Sequence, residues 1–132
     1  MDEKLRREAA EVLFAARCME YGYSVSLPIS GCSTYDLIVD CEGTLKRVQV
    51  KTVDKAIQGR FSFVLRRGGK SKGAVKIKYT EDDCDLIVLH PLGTDYFVFV
   101  GPDVFTKMKR FTLNPSKHKD IINNFHILCT ET

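Results

Sequence analysis

The sequence predicts one domain of the α/β or α+β class: a helix, then a run of short strands, then a second helical segment, all around a single sheet. Three observations carry this. An apolar periodicity of four and three runs through the N-terminal segment, and apolar stretches separated by turn residues fill the middle. The chain of 132 residues, 44% hydrophobic and 28% charged, is long enough to bury one core and has no room for a second domain, so residues 1–132 read as a unit.

The helix is predicted over Glu3 to Glu20, with Leu5, Ala9, Val12, Ala16 and Met19 along one face and Gly22 ending it. Tyr23 to Leu27 alternates as a first strand. Tyr35 to Val39 and Leu45 to Val53 follow as a hairpin, and Phe61 to Leu65 is a further strand. Asp85 to His90 and Tyr96 to Val100 form a second apolar pair around "PLGT". Pro102 at a first-turn position, backed by Val104, Phe105 and Met108, opens a short helix. Lys119 to Asn124 is a helical candidate in an ambiguous C-terminal stretch, and there is no repeat, linker or low-complexity segment.

Charge is segregated along the chain. Between Lys46 and Lys78 there are eleven Lys or Arg and one acid, Asp54, whereas residues 79–103 hold six acids and no base. A basic run that includes "RRGGKSKG", read as a flexible loop from Arg66 to Gly73, suits a phosphate backbone and equally suits a solvated, solubilising surface. Five cysteines form an odd set with no C-x-x-C pair, and neither a signal peptide nor a membrane-length apolar run is present, which predicts a soluble protein of a reducing compartment. His126 and Cys129 have ligand-like spacing, but no second pair completes a zinc site, so they read as core and surface residues.

The hairpin "YDLIVDCEGTLKRVQVKT" interrupts its apolar runs with Asp36, Gln49 and Lys51. A two-residue turn at Glu42-Gly43 sets Asp36 directly opposite Gln49 on one face, with Lys51 projecting from the same face two residues on. Val48 and Val50 point the other way, into the core. A carboxylate, an amide and an ammonium thus converge at one hairpin end. Asp36, Gln49 and the Val50 carbonyl offer the hard oxygen donors that Mg²⁺ takes, with Lys51 placed to hold or activate water. The competing account is a surface Asp–Lys pair beside a polar glutamine. Ser33, Thr34 and Tyr35 read as a small polar loop rather than phosphate contacts.

"YDLIVD…RVQVKT" resembles the core of the PD-(D/E)XK nuclease superfamily, in which an acid opens one strand and acid-x-lysine lies on the next. Upstream, "EVLFAARCMEYGYSVSLPISGCSTYD" resembles the family's glutamate-bearing helix, Gly-aromatic turn and strand. Downstream, "KYTEDDCDLIVLHPLGTDYFVFVGPDVF" resembles the closing strands of the branch associated with mobile group I introns, the PD-(D/E)XK homing endonucleases. The resemblance spans about residues 8–105. Gln49 departs from the Glu or Asp of most members, although the intron-associated branch is often Q-x-K.

The resemblance implies a restriction-endonuclease-like core, with a mixed central sheet flanked by helices. It puts the first acid on Asp36, acid-x-lysine on Gln49 and Lys51, and the helix glutamate on Glu11, with Glu8 as the competing choice. It further implies a Mg²⁺-dependent endodeoxyribonuclease, with Mn²⁺ as a substitute, in which Asp36, Gln49, Val50 and Glu11 serve the metal. Arg60, Arg66, Arg67, Lys70, Lys72, Lys76 and Lys78 would contact double-stranded DNA, with any base reading by the loop around Gly68 to Gly73. A double-strand break needs two symmetry-related sites, hence a homodimer or higher homo-oligomer, whose candidate interface is the apolar "YFVFV" and "DVFTKM", segments that serve equally as core. The expected setting is cytoplasmic and nucleoid-associated, prokaryotic or phage-type, with no membrane partner. A junction resolvase, a restriction or repair nuclease and an inactive nucleic-acid-binding module are the alternatives.

Overall fold

The computed structural model describes residues 2–54, 56–68 and 75–131. Helix α1 spans Glu3–Glu20, capped where the Asp2 carboxylate accepts the Lys4 N–H. Gly22 ends it at φ 87°, a left-handed conformation that glycine adopts without strain. The strands are β1 (Ser24–Ser26), β2 (Leu37–Cys41), β3 (Thr44–Val53), β4 (Phe61–Val64), β5 (Arg66–Arg67), β6 (Ile77–Lys78), β7 (Leu86–Pro91), β8 (Val98–Val100) and β9 (Arg110–Leu113). Helix α2 (Pro102–Phe105) follows β8, and 3₁₀ turns lie at Lys119–Ile121 and Phe125–Cys129.

The central sheet has the order β1-β2-β3-β7-β8. Its single parallel pair is β3 with β7; the other pairs are antiparallel, so the sheet is mixed. Two small sheets, β4-β9 and β5-β6, come from the excursion between β3 and β7 and from the C-terminal segment. Alternation along the central strands builds two cores. Leu37, Val39, Val48, Val50, Leu86 and Val88 face Ala10, Phe14 and Cys18 of α1, while Ile87, Leu89, Val98 and Val100 face Phe63, Leu65, Phe105, Phe111 and Leu113.

Several sequence expectations change. The face that α1 buries is Ala10, Phe14 and Cys18, not the predicted stripe: Leu5, Val12 and Met19 are 54%, 68% and 58% exposed. Both stripes have helical spacing. Phe14 decides between them, because its ring sits within about 6 Å of Phe97, Phe99 and Phe125 and carries more apolar area than any stripe residue. The "YFVFV" interface candidates Phe97, Val98, Phe99 and Val100 are buried within the chain, as is Phe105, leaving Met108 as the exposed apolar residue of the named segments.

Arg66 and Arg67 pair with Lys78 and Ile77 as a hairpin rather than forming a loop. Lys119 to Asn124 contains one 3₁₀ turn, at Lys119–Ile121. A disulfide joins Cys41 to Cys129 across a separation of 88 residues, which runs against the expectation of a reducing compartment; Cys18, Cys32 and Cys84 are free. Among the described residues no helix is long and apolar enough to cross a membrane.

Candidate active site

Glu42 and Gly43 both adopt positive φ (51° and 94°), the twist that closes a two-residue hairpin, and the strands pair Cys41 with Thr44 through to Leu37 with Val48. The register ends there: the Asp36 N–H also turns to Val48, so Asp36 and Leu37 share that partner and the pairing does not run on to set Asp36 directly opposite Gln49, which the spacing predicts. Strand β2 starts at Leu37, whereas β3 runs on to Val53, so the last part of β3 outruns its neighbour. Asp36 fills the gap. Its own N–H donates to the Val48 carbonyl at 2.9 Å, and its Oδ2 accepts the Val50 N–H at 2.8 Å. N–H and C=O of one strand residue point to the same side, so the Val50 carbonyl also faces the gap at Asp36.

Helix α1 approaches this gap from the other face of the sheet. Arg6 pairs with Asp54 just past β3, which fixes the N-terminal half of the helix over the strand end. Burial first, then repulsion from Asp36 and Glu8, pushes the Glu11 carboxyl from 4.5 up to about 7, with Arg7 opposing. Burial also raises the Asp36 carboxyl, against the Val50 N–H, Lys51 and Arg7, which favour its anion. Glu11 and Asp36 therefore share one electrostatic neighbourhood, whereas Glu8 is exposed.

Lys51 lies on the opposite face of β3 from Val50. Its Nζ donates to the Arg66 carbonyl at 2.8 Å and stands 5.0 Å from the centre of the Tyr79 ring. Tyr79 is 3% exposed, and burial foremost, with Cys84 and Asp36 adding, raises its hydroxyl pKa and keeps it neutral. Arg7 and Tyr79 are the site neighbours that sequence reading passed over. Arg7 was accessible, since it precedes Glu11 by one helical turn, but Tyr79 reaches Lys51 only through the tertiary fold.

The basic residues divide. Arg60, Lys76 and Lys78 are exposed. Arg67 is instead 3.3 Å from the Asp83 carboxylate, whose side chain is only 8% exposed. Arg66 is half-buried in β5, and Lys70 and Lys72, with most of the loop from Gly68 to Gly73, fall outside the described residues. Arg47 is likewise committed internally, forking onto Asp85 and the carbonyls of Glu81 and Asp82. Thr34 donates to the Asp83 carbonyl and Ser33 to the Ser30 carbonyl, so both hydroxyls brace the loop before Asp36.

Among the described residues no three His, Cys, Asp or Glu side chains form a metal-binding group. The oxygen donors near this strand end are of another mix: the Asp36 and Glu11 carboxylates and the Val50 carbonyl, with Gln49 one position earlier on β3. All are hard oxygens, and a nearby cation would relieve both the burial of the Glu11 and Asp36 carboxylates and the push of the Asp36 charge on Glu11, so the residues fit a divalent ion.

A mixed sheet covered by a helix, with Asp36 ahead of one strand and Gln49-Val50-Lys51 on the next, is the core of the restriction-endonuclease-like nucleases. The chain belongs to the PD-(D/E)XK endonuclease family, whose sequence profile matches residues 1–126, and it is a nuclease. Nucleases of this family generally use divalent metal ions. In structure the chain is similar to the bacterial homing endonuclease I-Ssp6803I, with TM-score 0.83 and 23% identity over 97% of this chain and 93% of that one. It is also similar to Hjc, a Holliday junction resolvase of Archaeoglobus fulgidus, with TM-score 0.58 and 8% identity over 96% and 98% of the two chains. No curated protein matches the sequence.

Proposed function

We propose that the chain is a Mg²⁺-dependent endonuclease of the homing type, cutting double-stranded DNA. The observation that carries this is Asp36, hydrogen-bonded to the Val50 N–H at the strand end that bears Gln49 and Lys51, whose charge adds to burial in raising the Glu11 carboxyl. The Q-x-K pattern and the fold shared with a bacterial homing endonuclease support the homing type.

Asp36, Gln49, the Val50 carbonyl and Glu11 would hold Mg²⁺ or Mn²⁺. The bound cation would neutralise phosphate charge and acidify a coordinated water. The Val50 N–H fixes the Asp36 carboxylate in orientation, and Arg7 limits the charge that Asp36 and Glu11 leave unbalanced. Lys51 would direct its ammonium at the attacking water and at the charge developing on the phosphoryl oxygens. Arg60, Lys76 and Lys78 would meet DNA phosphates, joined by Lys70 and Lys72 and, more weakly because they serve the fold as well, by Arg66 and Arg67. Two such sites in a homodimer would cut both strands.

The test is a panel of linear duplex, four-way junction and single-stranded DNA, with and without Mg²⁺, read beside light scattering. Duplex cutting that requires the divalent ion, from a dimer or larger assembly, is expected. Cutting confined to junctions would replace the homing reading with a resolvase, and DNA binding without cutting of any substrate would leave a binding module.

A further inference from the structure

The basic hairpin and the Lys51 ammonium are physically joined, and nothing in the Asp-Gln-x-Lys pattern accounts for it. Lys51 Nζ is held on one side by the Arg66 carbonyl of β5, at 2.8 Å, and on another by the Tyr79 ring, whose centre is 5.0 Å away. Tyr79 follows β6 directly, so one contact comes from β5 and the other from the residue that leaves its partner strand. The ring is anchored: Tyr79 is 3% exposed and meets Phe105 edge-on at 6.5 Å. An ammonium on a four-carbon stem has several rotamers to choose from, and a carbonyl together with an aromatic face selects one.

We infer that Tyr79 is a positioning residue for Lys51: with the Arg66 carbonyl it aims the ammonium at the reacting phosphate, so that the hairpin carrying Lys78 also sets the geometry of the chemistry. The inference rests on the role given to Lys51 above. Tyr79 itself touches no substrate. Its contribution comes through the negative face of the ring, which a phenylalanine keeps and an aliphatic side chain lacks.

The experiment places phenylalanine and then mono-, di- and trifluorinated phenylalanines at position 79, beside Tyr79→Leu and Lys51→Ala. It measures single-turnover cleavage of duplex DNA at saturating protein, DNA affinity and thermal melting. Fluorination drains the ring face while nearly preserving its shape. Tyr79→Phe should cut at the wild-type rate, and the rate should fall stepwise with fluorination to about tenfold below it, at unchanged affinity and melting temperature. Tyr79→Leu should be at least as slow, but since it also alters the core, the fluorinated series decides if that variant fails to fold. A rate independent of fluorination would reduce Tyr79 to core filling and overturn the inference. Wild-type cutting by Lys51→Ala would instead overturn the assignment of Lys51, which distinguishes the two failures.

Discussion

The Asp36 carboxylate accepts the backbone N–H of Val50 at 2.8 Å, so the first acid of the site also completes the hydrogen bonding of the strand beside it. This sets what its replacement should do. Asparagine keeps an oxygen for the Val50 N–H and loses only the charge. Asp36→Asn is therefore expected to melt within a few degrees of wild type while duplex cutting in Mg²⁺ falls by about a hundredfold or more. Its DNA affinity without metal should hold or rise, because an anion facing phosphates has gone. Lys51→Ala should also stop cutting but retain the metal dependence of DNA binding that Asp36→Asn loses. Wild-type single-turnover cutting by either variant would remove these residues from the site.

Glu11 gives a pH signature in the metal-free protein. Its folded-state pKa of about 7 lies above the ordinary 4.5, so the folded state binds the proton more tightly than the unfolded chain does. The resulting penalty is absent below pH 4.5, grows between 4.5 and 7, and is complete above 7. Glu11→Gln removes it. The variant should melt about 2–5 °C above wild type at pH 8, a gap trimmed by solvent around the half-buried carboxylate, and the two should converge by pH 4.5. Mg²⁺ should raise the wild-type melting temperature more than the variant's. Equal melting curves at pH 8 would show that neither burial nor the charge of Asp36 penalises the Glu11 anion.

Much of this geometry was legible because it is local. The Glu42-Gly43 turn fixes the register by counting as far as Leu37 opposite Val48, which brings Asp36 to the strand end that carries Gln49 and Lys51. The extent of α1 follows from its helical periodicity and from Gly22. What was not legible depends on contacts distant in sequence: the β4-β9 pairing, the Cys41–Cys129 disulfide and the approach of Tyr79 to Lys51. The β5-β6 hairpin hid for another reason. Glycines and lysines between its strands look like a loop, and two-residue strands carry no alternation to find. The stripe on α1 failed because helical spacing identifies a face without saying which side it meets.

Opposite faces of α1 should therefore answer differently to substitution. Phe14→Ala removes a fully buried ring that touches three others and is expected to lower stability by about 3–5 kcal/mol in urea unfolding. Val12→Lys, on the face that periodicity alone would bury, should change the stability of the isolated chain by no more than about 0.5 kcal/mol. A large loss from Val12→Lys would mean that this face is covered in solution.

The basic hairpin separates DNA contact from fold support. Lys76 and Lys78 are exposed, whereas Arg67 sits 3.3 Å from an Asp83 carboxylate that also accepts the Thr80 N–H at 2.8 Å. Replacing Lys76 and Lys78 together by alanine should leave the melting temperature unchanged. It should weaken duplex binding and lower the slope of log K against log salt by about two, one unit for each phosphate that is no longer neutralised. Arg67→Ala should do the reverse: a lower melting temperature, because the nearly buried Asp83 loses its cation, and a slope changed by less than about one. Binding curves from low to moderate salt, on variants whose melting has been recorded, decide the matter. A slope unmoved by the double lysine substitution would return that pair to a solubilising role and leave Arg60 and the remaining basic residues to carry the duplex.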